Sequence, residues 1–215
     1  YEKATYYNTT DATYYDGVVG NWLFDDARKD GDTEILEVGT NYYVGLFHSR
    51  GREEYKTVDI RHILITPETG TKAQGDEGYE DEQTQLKAAA RTKAEEILAQ
   101  WKSGEATEDS FTQLAMENSA DGSKYDGGLY TRVTKGWAVE EFNDWCFDAS
   151  RKDGDTGIVD TTYGSHVMYF VGYDLPAWAA SVTSDLQEKA ASEWSTALSE
   201  NADVQQSDFG MKFVG

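Results

Sequence analysis

The chain has 215 residues, enough for one large domain or two small ones, and 39% hydrophobic residues, with 14 Tyr, 8 Phe and 6 Trp, place it among globular proteins. Forty acidic residues against 19 basic ones give a net charge of −21, which argues against a nucleic-acid partner and against an anionic membrane surface. A single cysteine, Cys146, excludes an internal disulfide and a multi-cysteine metal site, and no apolar run reaches the ~18 residues that a bilayer span needs.

Acidity of this degree suits solubility and weak contacts with polypeptides. The chain opens on Tyr1 rather than Met, as expected of a mature or cut fragment, so a targeting segment would lie upstream. Residues 1–15 are rich in Tyr and Thr, which favour extended structure. Asn8-Thr9-Thr10 fits a glycosylation sequon, a pattern too short to carry weight.

From Asn21 the chain reads NWLFDDARKDGDTEILEVGTNYYVGLFH, and from Asp144 it reads DWCFDASRKDGDTGIVDTTYGSHVMYFV; the two share 12 of 28 positions without a gap. This is an internal repeat. Each copy predicts a short helix with a WxF apolar face, followed by a basic pair (Arg28-Lys29, Arg151-Lys152) that complements the helix dipole. An Asp-Gly-Asp turn and two strands follow, at 35–38 and 42–47 in the first copy. Tyr43 stands where the second copy has His166, and Asn41 where it has Gly164, so the first copy keeps packing residues and lacks polar ones. It reads as structural rather than catalytic.

Residues 51–56 form a charged connector, and residues 58–65 (VDIRHILI) an apolar strand with His62 set among Ile60, Ile63 and Ile65. An acidic loop covers 67–82. From 83 to 102, Leu86, Ala90, Ala94, Ile97, Leu98 and Trp101 recur at helical spacing, and Gly104 ends that helix. A second helix is expected at 108–118, a loop at 119–128 and a third helix at 139–149. The strand GSHVMYFV (164–171) carries His166. A long helix at 178–198 aligns Val182, Leu186, Ala190, Trp194 and Leu198, and a last strand is expected at 204–214. The middle region thus reads β-α-α-loop-α-β-β, an α+β unit.

That order of a histidine strand, helices, SADGSKYDGG with its Gly127-Gly128-Leu129 turn, and a second histidine strand resembles the parvulin family of peptidyl-prolyl isomerases over residues 58–173. Taken alone, His62 and His166 each read as a hydrogen-bonded core histidine. The resemblance pairs them at the centre of a small sheet, in an orienting role rather than a proton-transferring one. Asp121 matches a position that holds Cys or Asp in the family; an Asp there excludes a covalent cysteine mechanism at that position. The same residue equally fits an Asp-Gly turn in which it bonds its own backbone. The resemblance assigns Ala138, Val139 and Phe142 to a proline pocket, Ala138 being smaller than the Met or Leu often found there. It assigns Thr161 and Tyr163 to hydroxyl-bearing positions before the second histidine, although Tyr163 is also a plausible sheet aromatic. Cys146, in the apolar run FNDWCF, reads as a buried thiol. In the loop after the first strand, Lys72 stands against Glu68, Asp76, Glu77, Glu80, Asp81 and Glu82, a setting that repels phosphate.

The expected architecture is therefore α+β: a parvulin-like domain at 57–174, with a small antiparallel or mixed sheet and surrounding helices. A second α+β domain is expected from both chain ends, 1–56 with 175–215, containing a degenerate half-copy of the unit at 21–48. This layout resembles extracytoplasmic bacterial foldases. It implies cis/trans isomerisation of X-Pro bonds in unfolded or secreted clients, an extracytoplasmic location, and membrane attachment only through a segment outside this sequence. No cofactor or nucleic-acid partner is expected, and three histidines without HxxxH spacing offer no metal site. The alternative is a non-catalytic chaperone or interaction module that keeps the fold.

Overall fold

The structure, a computed structural model, describes residues 17–201. The expectations for residues 1–15, the Asn8 sequon and the strand at 204–214 lie outside the described residues. Two compact units divide the chain, Tyr1–Arg52 and Glu53–Gly215.

In the first unit, helix α1 (Val18–Phe24) precedes an antiparallel hairpin of β1 (Thr33–Val38) and β2 (Asn41–Leu46). Trp22, Leu36 and Phe47 form its core, and Gly45 leaves room for the Trp22 ring. The Arg28 guanidinium lies 4.8 Å from the centre of that ring and donates to the Trp22 carbonyl at 3.2 Å, so it serves a last-turn carbonyl and the tryptophan together. The expected WxF face is half realised. Trp22 is buried and Phe24 is 39% exposed, because residues two apart on an α-helix point about 200° apart.

The second unit is built on a sheet of order β4-β3-β6-β5, antiparallel throughout, of β3 (Lys56–Ile65), β4 (Leu129–Val133), β5 (Thr156–Thr161) and β6 (Gly164–Pro176). Both faces of β3 are covered, which is why its sequence is nearly continuous in apolar residues rather than alternating. On one face, Val58, Ile60, Met168 and Phe170 pack against Phe142 and Cys146 of α4 (Glu140–Cys146). On the other, Ile63 and Val167 pack against Ala94, Ile97 and Trp101 of α2 (Tyr79–Ser103) and Phe111, Leu114 and Ala115 of α3 (Glu108–Asn118).

Helix α2 starts four residues before the expected position, at Tyr79. Its first turn carries Glu80, Asp81 and Glu82, which favour a helix N-terminus. Glu82 also accepts from the Thr71 and Lys72 backbone N–H groups and from the Thr71 hydroxyl, folding the acidic loop back onto the helix.

Helix α5 (Ala177–Asn201) continues directly from β6. The boundary expected at 174 is corrected here: Ala177 N–H donates to the Tyr55 carbonyl and Trp178 N–H to the Glu53 carbonyl, holding the first turn of α5 to the second unit, with Ala177 and Ala180 buried. Beyond that turn, Val182, Leu186, Trp194 and Leu198 are exposed. A clean contrast follows for stability. Replacing the fully buried Phe111 by Ala lowers the unfolding free energy by about 3–5 kcal/mol, whereas Trp194→Ala, at a side chain 67% exposed, shifts it by less than about 0.5 kcal/mol; urea midpoints of both variants check this.

Candidate active site

Pairing of β3 with β6 sets Leu64 opposite His166 and His62 opposite Met168. His62 and His166 are therefore diagonal neighbours on the same sheet face. Their rings lie 5.2 Å apart at 15°, with the two Nδ1 atoms 3.0 Å from each other. His62 is 3% exposed and His166 5%. At that separation one Nδ1 donates and the other accepts, so a single proton lies between them.

Each outer nitrogen has its own partner. The His62 Nε2 is 3.3 Å from Asp121 Oδ1 and 3.4 Å from Ser123 Oγ, and the His166 Nε2 is 2.9 Å from Thr161 Oγ1. Asp121 caps a 3-10 turn (Gly122–Asp126), accepting from Ser123 N–H at 2.8 Å and from the Tyr130 hydroxyl at 2.9 Å. Both meanings of that aspartate are present together: it bonds its own turn and faces the histidine. The hydrogen bond from His62 above all, then those from Ser123 and Tyr130, hold its carboxyl far below the usual carboxylate range. An ionised Asp121 only accepts, so the His62 Nε2 carries a proton. Burial foremost, then the nearness of His62, pushes His166 down from 6.5 to about 4.

Above the pair sits a cavity of about 470 Å³. Phe142 stands edge-on to both imidazoles, with ring centres 5.5 and 5.3 Å away, and Ala138 and Val139 extend the apolar wall. Tyr163 enters the network through its backbone N–H, 3.1 Å from Thr161 Oγ1, while its exposed ring lines the mouth. All eight residues singled out from the sequence (His62, Asp121, Ala138, Val139, Phe142, Thr161, Tyr163 and His166) thus meet at one place. A second cavity, of about 310 Å³, lies between α2 and the β5–β6 turn, where Arg91 and Asp160 pair at 2.7 Å; it lacks an aromatic wall.

Two aromatic contributors were missed. Tyr130 donates to Asp121 and packs at 5.4 Å on His62. Trp137 packs 4.7 Å from Tyr130 and 6.3 Å from Phe142, filling part of the wall that the small Ala138 leaves short. In sequence both look like ordinary sheet or loop aromatics. The Gly-Gly turn has a steric cause: both glycines have positive φ, and a Cβ on Gly128 would run into the His62 carbonyl oxygen. Arg61 fastens the same turn, donating to the Asp126 and Gly127 carbonyls and pairing with Glu108 at 2.9 Å. Cys146 is fully buried, which pushes its thiol up to about 12 and makes it a packing residue.

An apolar cup with oriented hydrogen-bonding groups in its floor suits rotation of a bond rather than its cleavage. The chain belongs to the family of the PPIC-type PPIASE domain, whose sequence model matches residues 45–171, more than half of the chain. Among curated proteins it is similar to "Foldase protein PrsA 1" of Listeria monocytogenes serotype 4b, at 29% identity over 142 residues; the match covers 64% of this chain and 39% of that protein. Among solved structures it is similar to PrsA from Bacillus subtilis, at 23% identity and a TM-score of 0.46, covering 71% of this chain and 52% of that one. The parvulin of Nitrosopumilus maritimus matches at 25% identity and a TM-score of 0.37, covering 55% and 98% respectively.

The depressed pKa of His166 makes stability depend on pH with a defined sign. Between pH 6.5 and about 4 the unfolded chain binds a proton at this position that the folded chain refuses, so stability falls as pH falls through that window. The loss amounts to about 3 kcal/mol for a shift of this size. Asp121, depressed as well, adds to the loss once pH drops below the ordinary carboxylate range. Urea midpoints at pH 7.0 and 4.5 should show the drop, and it should shrink in His166→Gln.

Proposed function

We propose that the second unit catalyses cis/trans isomerisation of X-Pro bonds in unfolded, exported polypeptides. The observation that carries this reading is the buried His62–His166 contact beneath Phe142, at the floor of a cup the size of a proline ring and its neighbours. Rotation about X-Pro faces a barrier of ~18–20 kcal/mol because of amide resonance. Seating the ring against Phe142, Ala138 and Val139 removes water from the amide, and a less polar surrounding favours the twisted, less charge-separated amide over the planar one. His62, His166, Asp121 and Thr161 hold the floor in shape by satisfying one another; a half-satisfied buried network would loosen it. Tyr163 and Trp137 bound the mouth, where the flanking peptide leaves the cup.

The similarity to a foldase supports an extracytoplasmic setting and proline-containing clients, a proposal for the whole protein, since this chain spans 39% of that relative. Among the described residues no helix is long and apolar enough to cross a membrane.

A chymotrypsin-coupled tetrapeptide assay tests the catalytic reading. Phe142→Ala and His166→Ala should each reduce kcat/KM by at least tenfold, and at least as strongly as Asp121→Asn; activity that survived both and vanished only with Asp121→Asn would sink the dry-cup account. Circular dichroism of each variant separates loss of site from loss of fold. Substrate charge is a second check. Peptides with pSer or Glu before proline should be poorer than those with Ala or Lys, because the loop after β3 is acidic and its Lys72 ammonium is engaged with the Glu77 carbonyl at 2.7 Å. The difference should shrink with salt, since exposed charges are screened over ~8–10 Å.

A further inference from the structure

Tyr130 and Val133 stand three apart on β4, a spacing that strand alternation would send to opposite faces of the sheet. Both nevertheless face the cup side. Val58 lies opposite Val133 and Ile60 opposite Tyr130, two steps along β3 against three along β4. The surplus residue makes a bulge in β4. It lets Tyr130 reach the His62 ring while Val133 joins the core with Phe142 and Cys146.

The bulge runs through Arg132, at φ 54°. Among the described residues Arg132 and Ala106 alone combine a side chain with positive φ. A non-glycine residue stays in that conformation only where its surroundings hold it. Arg132 is held through its backbone: its N–H donates to the Asp59 carboxylate at 2.8 Å. The guanidinium also pairs with Asp174 at 3.2 Å, a partly exposed contact that adds little. Asp59 stands between Val58 and Ile60, where β6 too gains a residue, since Asp59 pairs with Gly172 and Ile60 with Phe170.

Upstream of the bulge β4 is pinned independently, by Arg61 on the Gly-Gly turn and by the Tyr130 hydroxyl on Asp121. Downstream, Val133 leads into the loop that carries Trp137, Ala138 and Val139 to the cavity wall. That loop's own bonds are exposed: Lys135 N–H to the Tyr55 hydroxyl at 3.2 Å and Gly136 N–H to Asn143 Oδ1 at 2.7 Å. The direction in which it leaves the sheet is set at Arg132.

We propose that Asp59 is a positioning residue for the cup: by accepting the Arg132 N–H it holds the β4 bulge that aims Trp137, Ala138 and Val139 over the His62–His166 floor. Asp59 does not line the cavity and acts through Arg132. The consequence for substrate binding rests on the isomerase reading; the brace itself does not.

The test compares Asp59→Ala and Asp59→Asn, each alone and with Arg132→Gly, in the full chain labelled with 5-fluorotryptophan. Fluorine NMR follows the Trp137 signal, assigned with Trp137→Phe, and the tetrapeptide assay gives KM and kcat. Asp59→Ala should shift the Trp137 signal and raise KM at least fivefold with kcat changed less than twofold, because the wall grips the ring in ground and transition states alike. Asp59→Asn keeps an oxygen to accept the N–H and should match the parent. So should Arg132→Gly, since glycine takes positive φ without a brace. Added to Asp59→Ala, it should return the Trp137 signal and bring KM within twofold of the parent. Should Asp59→Ala fail to fold, the double variant carries the same test. An unmoved Trp137 signal in Asp59→Ala, an equal loss in Asp59→Asn, or a loss that Arg132→Gly does not repair each overturns the proposal. A Trp137 shift repaired by Arg132→Gly in a chain without isomerase activity defeats the isomerase reading and leaves the brace standing.

Discussion

Two imidazole nitrogens 3.0 Å apart in a buried place impose the constraint on which the second unit turns. They tolerate one proton between them, and a second would set two N–H groups against each other with no water to separate them. Everything near the pair follows from holding that state. Asp121 and Thr161 take the outer nitrogens, Tyr130 and the Ser123 backbone fix Asp121, and Phe142 closes the apolar side. The antiparallel register of β3 and β6 brings the rings together, and that register is enforced by the two-sided core, since a slip of one residue would turn His62 toward α2 and Ile63 toward the cup. Chemistry and packing are thus one problem here, solved by the same pairing.

Much of this was legible in the chain itself. The apolar run around His62 marked a strand, the three- and four-residue spacing marked α2, and the RKDGDT repeat marked two equivalent helix-hairpin units. The roles of Tyr130 and Trp137 were not, because an aromatic after a glycine turn is equally at home in a sheet, and only the turn's geometry aims the hydroxyl at Asp121. Phe24 misled for a simple reason, as spacing of two is the period of a strand and not of a helix. The stripe of α5 misled in another way. Periodicity at Val182, Leu186, Trp194 and Leu198 reports that a helix has an apolar side, but not that anything lies against it.

The repeat also shows what each part of the unit contributes. The helix-hairpin half carries its own small core around Trp22 and its own turn, and is defined in the first copy with Tyr43 at the position of His166 and Asn41 at that of Gly164. The second copy adds β3, β4, α2 and α3, and with them the opposite wall and floor. The site therefore lies at the junction of two parts: His166 and Thr161 come from the repeated hairpin, Phe142 from the helix that leads into it, and His62, Asp121 and Tyr130 from the elements before. Neither half alone assembles a cup.

The only thiol in the chain is buried at the end of Phe142's own helix, and burial pushes its pKa up to about 12. At neutral pH its thiolate fraction is on the order of one in 100,000, and the sulfur has no path to an oxidant or to another disulfide. At this position the chain is indifferent to whether its surroundings are reducing or oxidising. On the isomerase reading proposed above, this thiol would not trap a client's unpaired cysteines as a mixed disulfide, so bond rotation and cross-linking would proceed on separate clocks.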